Sequence, residues 1–257
     1  MKAPTLIDTH CHLDAAEFDA DRDRVFERAR AGGVEAIVVP AVERANFAAV
    51  RRTCQRYPGC LPALGLHPMY LDRHRPECLE ALGAEIARQR PVAVGEIGLD
   101  YFVPGLDPAQ QEYYFVEQLK IAREADLPVL LHIRRAHDQV LKQLRRFRVK
   151  GGIAHAFNGS RHQAEVFMDL GFKLGFGGAM TYPRALKLRR LAAALPLGAI
   201  VLETDAPDIP PAFARGGRNS PEYLPQIAAV LADLRAMAPD VIAAATSANA
   251  RQVLGLA

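Results

Sequence analysis

Eight short runs of β-branched and apolar residues, each followed by a longer stretch of helical period, recur along this chain, and no other feature limits its fold so strongly. The runs cover residues 5–8, 36–40, 61–65, 92–96, 129–132, 152–156, 172–175 and 200–203. Such alternation implies a parallel sheet, because parallel neighbours need a crossover between them. Eight repeats suggest closure into a (β/α)8 TIM barrel, and the 257 residues suit one domain over 1–257, since this fold commonly takes about 250. An open doubly wound sheet would instead carry a glycine-rich phosphate loop after an early strand, and none follows the first run. The later stretch Gly175-Phe176-Gly177-Gly178 lacks the dinucleotide fingerprint and reads as a tight turn at the barrel rim.

Between the runs, Phe47, Val50, Cys54 and Tyr57 recur at helical spacing, as do Phe115, Leu119 and Ala122; these are core stripes rather than cofactor boxes. Asp107-Pro108-Ala109-Gln110 predicts a helix start, with an N-cap, a proline at the first helical position and a capping-box glutamine. Ser220-Pro221 predicts another start, before a helix through about Arg235, and an extra C-terminal helix is expected over 240–254.

A composition of 50% hydrophobic and 24% charged residues supplies a large core and excludes a disordered chain. The net charge of +3 is too balanced to mark a nucleic-acid-coating protein. The densest basic stretch, Arg145, Arg146, Arg148 and Lys150, falls where a helix should end, where cations complement the helix dipole, on the side of a barrel opposite its active face. Cys11, Cys54, Cys60 and Cys78 lack C-x-x-C spacing and read as reduced packing residues. The segment Met1 to Asp8 has too short an apolar run for a signal peptide, and no stretch is long and apolar enough to span a bilayer. A cytoplasmic location without a membrane partner is therefore expected, with a monomer as the simplest state.

Metal-capable side chains sit at or just beyond the ends of several strand runs, where barrel enzymes build their active sites. His10 and His12, in Asp8-Thr9-His10-Cys11-His12, are two residues apart and face one side of an extended chain. Glu96 follows the buried run Val92-Ala93-Val94, where an unpaired carboxylate is costly; a metal, or a neighbouring arginine, would compensate it. His132 and His155 each close an apolar run, and either alone could be a hydrogen-bonded core histidine. Asp205 stands at the rim after the last run, with Glu203 slightly deeper in a supporting position. Six ligands exceed one four-coordinate zinc, and so many imidazoles do not suit a lone magnesium. Two divalent ions (Mg, Mn or Zn) fit better: His10, His12, Glu96 and Asp205 on the first, and Glu96, His132 and His155 on the second. Such pairs lie about 3.5 to 4 Å apart and clamp a displaced phosphate. Asp205 is expected to orient the attacking water and accept its proton.

These motifs, with Gly65-Leu66-His67-Pro68, Gly95-Glu96-Ile97-Gly98-Leu99-Asp100-Tyr101, Glu203-Thr204-Asp205-Ala206-Pro207 and Arg218-Asn219-Ser220-Pro221, resemble the TatD family of metal-dependent hydrolases over nearly the whole chain. The look is nearest its YjjV-like subgroup. The resemblance implies a TIM-like barrel, divalent-metal nuclease activity that trims DNA from a 3′ end, and the same six metal ligands. It also implies a substrate contact for His67. Arg134, two residues beyond His132, would offer a guanidinium fork to phosphate, and Arg218 and Asn219 would do so from the last loop.

One departure is Ala156-Phe157-Asn158-Gly159, where many members carry Cys-Phe-Ser-Gly. Phe157, Tyr101 or Phe102 would stack on terminal bases or simply pack the rim. The leading expectation is a two-metal exonuclease acting on single-stranded or frayed DNA ends. Two alternatives stand: a metal-dependent esterase or amidohydrolase, such as a deacylase of D-aminoacyl-tRNA, and a non-catalytic interaction protein that retains the barrel.

Overall fold

Eight strands pair in sequence order as parallel neighbours in one sheet: β1 (Leu6–Asp8), β2 (Val34–Pro40), β3 (Cys60–Leu64), β4 (Ala93–Asp100), β5 (Val129–Arg134), β6 (Gly152–Ala154), β7 (Phe172–Phe176) and β8 (Ile200–Leu202). The structure is a computed structural model that describes residues 5–256, so the first four residues of the N-terminal segment read above lie outside it. The sheet closes along a seam. The amide of Thr9 donates to the Leu202 carbonyl at 3.1 Å, that of Asp205 donates to the His10 carbonyl at 2.8 Å, and a parallel bridge joins Cys11 to Ala206. Closure thus runs straight into the segments that carry His10, His12 and Asp205.

The helices α1 (Arg22–Ala31), α2 (Phe47–Arg56), α3 (Pro76–Arg88), α4 (Pro108–Glu124), α5 (His137–Arg146), α6 (Arg161–Asp169), α7 (Leu186–Ala194) and α8 (Leu224–Arg235) follow the strands in turn, and α9 (Pro239–Leu254) is the additional C-terminal helix. Asp107 caps α4 by accepting the Ala109 amide at 2.9 Å. A short 3-10 turn, Pro221–Tyr223, separates the Ser220-Pro221 start from α8. α5 ends at Arg146 and Lys150 precedes β6, so the basic stretch lies at the floor of the barrel, away from the strand C-termini.

The core has two layers. Outward-facing strand residues such as Ile37, Val94, Ile97, Val129 and Leu131 pack beneath the helices. Inside, Ile7, Val38, Ala63, Ala93, Leu130, Ile153 and Val201 form a separate cluster, which Ala250 and Leu254 of α9 cover from below.

Sequence reading ends the fourth and fifth strands at residues 96 and 132; the structure carries them on to Asp100 and Arg134. The cause is a slip in the ladder, where Val94 pairs with Val129 but Ile97 with Leu131, so β4 holds one extra residue around Gly95 and Glu96. A bulge of this kind reverses which residues face inward. Glu96 can then sit inside the barrel while Gly98 and Asp100 pair with His132 and Arg134 on the same side. Gly98 is required for that pairing, because its φ is +150° and a Cβ there would strike the carbonyl of His132.

Candidate metal centre

Glu96 is 2% exposed, and its two oxygens face different imidazoles. Oε2 lies 3.0 Å from Nε2 of His10 and 3.6 Å from Nε2 of His12. Oε1 lies 3.1 Å from Nδ1 of His132 and 3.2 Å from Nε2 of His67. Across the seam, Oδ1 of Asp205 is 3.8 Å from Nε2 of both His10 and His12 and 3.4 Å from Nε2 of His155. His155 also stacks on His10, with ring centroids 3.7 Å apart. The six residues expected to be ligands therefore meet at the barrel mouth, in the overlapping groups His10–His12–Glu96, His10–His155–Asp205 and His67–Glu96–His132. One detail differs from the sequence reading: His155 turns to His10 and Asp205, not to His132.

Neighbouring acceptors and donors settle which ring nitrogen each histidine offers. His12 directs Nδ1 to the Pro40 carbonyl at 3.3 Å, and His132 directs Nε2 to Oδ2 of Asp100 at 2.9 Å, leaving the opposite nitrogen of each ring open to Glu96. His155 likewise sets Nδ1 3.0 Å from Glu203 Oε1, which puts Glu203 behind the cluster. His67 is different. Its Nδ1 accepts the Met69 amide, so a neutral ring carries its proton on Nε2 and donates toward Glu96 instead of ligating.

Burial raises the Glu96 carboxyl, but His67 and His10 outweigh it and hold the group well below its usual range. For His155, burial pulls downward and is overcome by Glu203 and Asp205, which hold the ring well above its ordinary value. His132 rises to about 8 against the pull of burial, because Asp100 and Glu96 accept from it. His67 falls to about 4, mainly through burial. Four carboxylates, Glu96, Asp100, Glu203 and Asp205, thus crowd around imidazoles that can offset them only by holding protons. This donor set fits divalent cations. Its ligand atoms stand at separations that metal–ligand bonds of about 2.0–2.2 Å would span, and His10 Nδ1 is buried without a partner.

Asp8 and Asp100 hold the site together, although sequence reasoning gave neither a role. Oδ2 of Asp8 accepts the Thr204 hydroxyl at 2.6 Å, and Oδ1 accepts the amides of Thr204 and His10 at 3.0 and 3.2 Å, locking both sides of the seam. Both aspartates end strands that are buried throughout; the sequence signals this for Asp8, which closes the first apolar run, but not for Asp100. Glycine makes room behind the site as well. A Cβ on Gly175 would collide with the carboxylate of Glu203 and one on Gly177 with its backbone, so the glycine run allows close approach as well as opening the 3-10 turn Gly178–Thr181 at the rim. Beside Asp205 lies a recess of about 100 Å³, lined by Phe157, Phe176, Leu188 and Ile209. Phe157 is 1% exposed and packs the rim, which leaves it no face for a base.

The remaining expected substrate contacts lie further out. Arg134 is on the surface of the mouth, with Nη1 4.0 Å from Asp100 Oδ2. Arg218 pairs with Asp21 through both terminal nitrogens at 2.8 Å and covers Phe18. Asn219 is fully buried, and its amide donates to the carbonyls of Thr204, Asp208 and Ile209. The geometry makes Asn219 a brace for the last loop rather than a hand extended to substrate.

A closed (β/α)8 barrel with imidazoles and carboxylates gathered at its C-terminal mouth defines a metal-dependent hydrolase. The model of the family described as TatD related DNase matches residues 7–255. The chain is 46% identical over 248 residues to the metal-dependent hydrolase YjjV of Escherichia coli, with 95% of each sequence covered. It is 35% identical over 259 residues to the 3′-5′ ssDNA/RNA exonuclease TatD of Klebsiella pneumoniae, with 98% of each covered. The crystal structure of Escherichia coli YjjV matches with a TM-score of 0.94 at 44% identity, covering 98% of both chains. This chain belongs to the TatD family of metal-dependent hydrolases.

Proposed function

We propose that this protein hydrolyses phosphodiester bonds at the 3′ end of single-stranded nucleic acid, with two divalent cations at the mouth cluster. The observation that carries the reading is the division of Glu96, whose Oε2 faces His10 and His12 while Oε1 faces His67 and His132. A carboxylate so placed can serve two cations at once. The activity named for the Klebsiella pneumoniae relative supports the choice of bond and substrate.

His10, His12, Glu96 and Asp205 would hold one ion, and Glu96 with His132 the other. His155 remains a ligand whose Nε2 faces Asp205. Divalent cations would supply positive charge to the phosphate and a lowered water pKa. The chain's own groups do the rest. Asp205, 14% exposed at its side chain, is the carboxylate open to solvent that can take the proton of an attacking water. With cations on Glu96, the Nε2 proton that His67 gives that carboxylate would be free for a phosphate oxygen, and Glu203 sits behind the ring of His155. The imidazole-rich set favours manganese, zinc or cobalt over magnesium.

The test is release of nucleotides from single-stranded DNA labelled at its 3′ end, with and without chelator, beside a D-aminoacyl-tRNA. Metal-dependent cleavage of DNA that Glu96→Gln abolishes, together with bound metal, is expected. Chelator-insensitive cleavage, or deacylation without DNA cleavage, would overturn the proposal.

A further inference from the structure

Large apolar side chains that remain exposed are concentrated at the mouth. Met69, Phe102, Leu186, Ile209 and Phe213 all lie on segments that follow strand C-termini. Phe102 stands apart because two cations lie against it: Cζ of Arg134 is 3.7 Å from the ring centroid and Cζ of Arg135 is 4.6 Å away. Among the described residues no carboxylate pairs with Arg135, and the nearest acid to Arg134, Asp100, has its Oδ2 turned to His132. Two like charges are thus held against one ring with most of their donors free.

The backbone is arranged to keep them there. Arg135 adopts φ 55°, a left-handed conformation that long side chains seldom take, directly after β5 ends. Phe102 is fixed from the other side, since Oδ1 of Asp100 accepts its amide at 2.8 Å and that of Val103 at 3.0 Å. The same Asp100 holds His132 through Oδ2. One carboxylate therefore braces Phe102 and His132 together, and Arg134 and Arg135 follow His132 by two and three residues at the end of β5.

We propose that Phe102, Arg134 and Arg135 form a subsite for the phosphate adjoining the scissile one, so that the enzyme favours a polynucleotide over an isolated phosphodiester. The inference rests on the phosphodiesterase reading above. Guanidinium forks match phosphate oxygens, and the aromatic ring keeps the two forks oriented while its exposed edge meets sugar or base. Arg135 and Phe102 add to Arg134 a second cation and a platform. Their position predicts that what they recognise is the polymer.

The variants to compare are Arg135→Asn, which removes the guanidinium with a residue that tolerates the left-handed backbone, and Phe102→Ala, each checked for native helicity and metal content. Their kinetics would be followed on a short oligothymidylate and on bis(p-nitrophenyl) phosphate, which carries a single phosphate. We expect KM for the oligonucleotide to rise about tenfold in Arg135→Asn. The loss on the oligonucleotide should exceed any loss on the small diester severalfold, and the slope of log KM against log salt should shrink by about 0.7 as one phosphate contact disappears. Phe102→Ala should move the same quantities less. If wild type cleaves the oligonucleotide and both variants keep its KM and salt slope, the subsite is refuted while the phosphodiesterase reading stands. Equal losses on both substrates would also refute it, by showing that the residues act through His132. Should wild type cleave neither substrate, the parent reading fails and takes the subsite with it.

Discussion

Nε2 of His132 lies 2.9 Å from Oδ2 of Asp100, and this contact decides which nitrogen of the ring faces Glu96. Carboxylates that orient a ligating imidazole typically govern metal affinity by 10–100-fold. Asp100→Asn keeps an oxygen for the Phe102 and Val103 amides but loses the charge that sets the tautomer. Metal affinity, measured by competition with a chromophoric chelator, is expected to fall by about that factor with the fold intact. Wild-type affinity in this variant would show that His132 needs no such partner.

Gly175 is the wall against which the Glu203 carboxylate rests. Gly175→Ala adds a methyl where no space exists, and overpacking of this kind costs about 1–3 kcal/mol. Denaturant melts should show a loss of that order, together with weaker metal binding as Glu203 is pushed off His155. A variant of unchanged stability would mean that Glu203 can move freely.

His74 is buried, directs Nε2 to the His67 carbonyl at 2.9 Å, and leaves Nδ1 without a partner. Burial lowers its pKa below 6.5, and burial followed by Lys187 does the same to His137. In the unfolded chain both rings titrate near 6.5, so below that pH the unfolded state binds more protons than the folded one. Their contribution to stability is complete above about pH 6.5 and declines as the pH falls through it. His132, His155 and Asp8 titrate in the opposite sense in metal-free protein, so the difference between two proteins is what isolates His74: lowering the pH from about 7.5 to 5.5 should move the urea midpoint of wild type downward relative to that of His74→Gln. Identical pH profiles for the two proteins would count against a neutral His74.

Arg218 and Asn219 separate a surface pair from a buried brace. Arg218→Ala breaks its ion pair with the half-buried carboxylate of Asp21 and uncovers Phe18, and should lower stability only modestly. Asn219→Ala strands the carbonyls of Thr204, Asp208 and Ile209 and should cost about 1–3 kcal/mol, with kcat falling because Asp205 belongs to the same loop. A KM effect from Arg218→Ala as large as that of Arg135→Asn would restore Arg218 as a phosphate contact.

Strand number, strand order and the convergence of His10, His12, Glu96, His132, His155 and Asp205 are legible in the sequence, because period and position relative to a strand end are local properties. The facing of His155 is not, since it depends on how the seam between β1 and β8 closes through Asp8 and Thr204, residues separated by most of the chain. Nor does Asn219 reveal itself, because a loop asparagine before Ser-Pro reads the same whether its amide meets carbonyls or phosphate. The extension of β4 to Asp100 stays hidden for a related reason. Gly95 and Gly98 look like strand breakers until the bulge and the close pairing with β5 explain them. Arg135 carries no signal either, because nothing in the order of residues announces a left-handed backbone.

The helix α9 has a consequence for biosynthesis. Ile7, Val38, Leu130 and Val201 present an oily ring that stays wet until Ala250 and Leu254 arrive to stopper it. A ribosome working from the amino end must therefore deliver residues 239–254 before the barrel acquires its base, and every nascent chain passes through an interval when that ring is open to wrong partners.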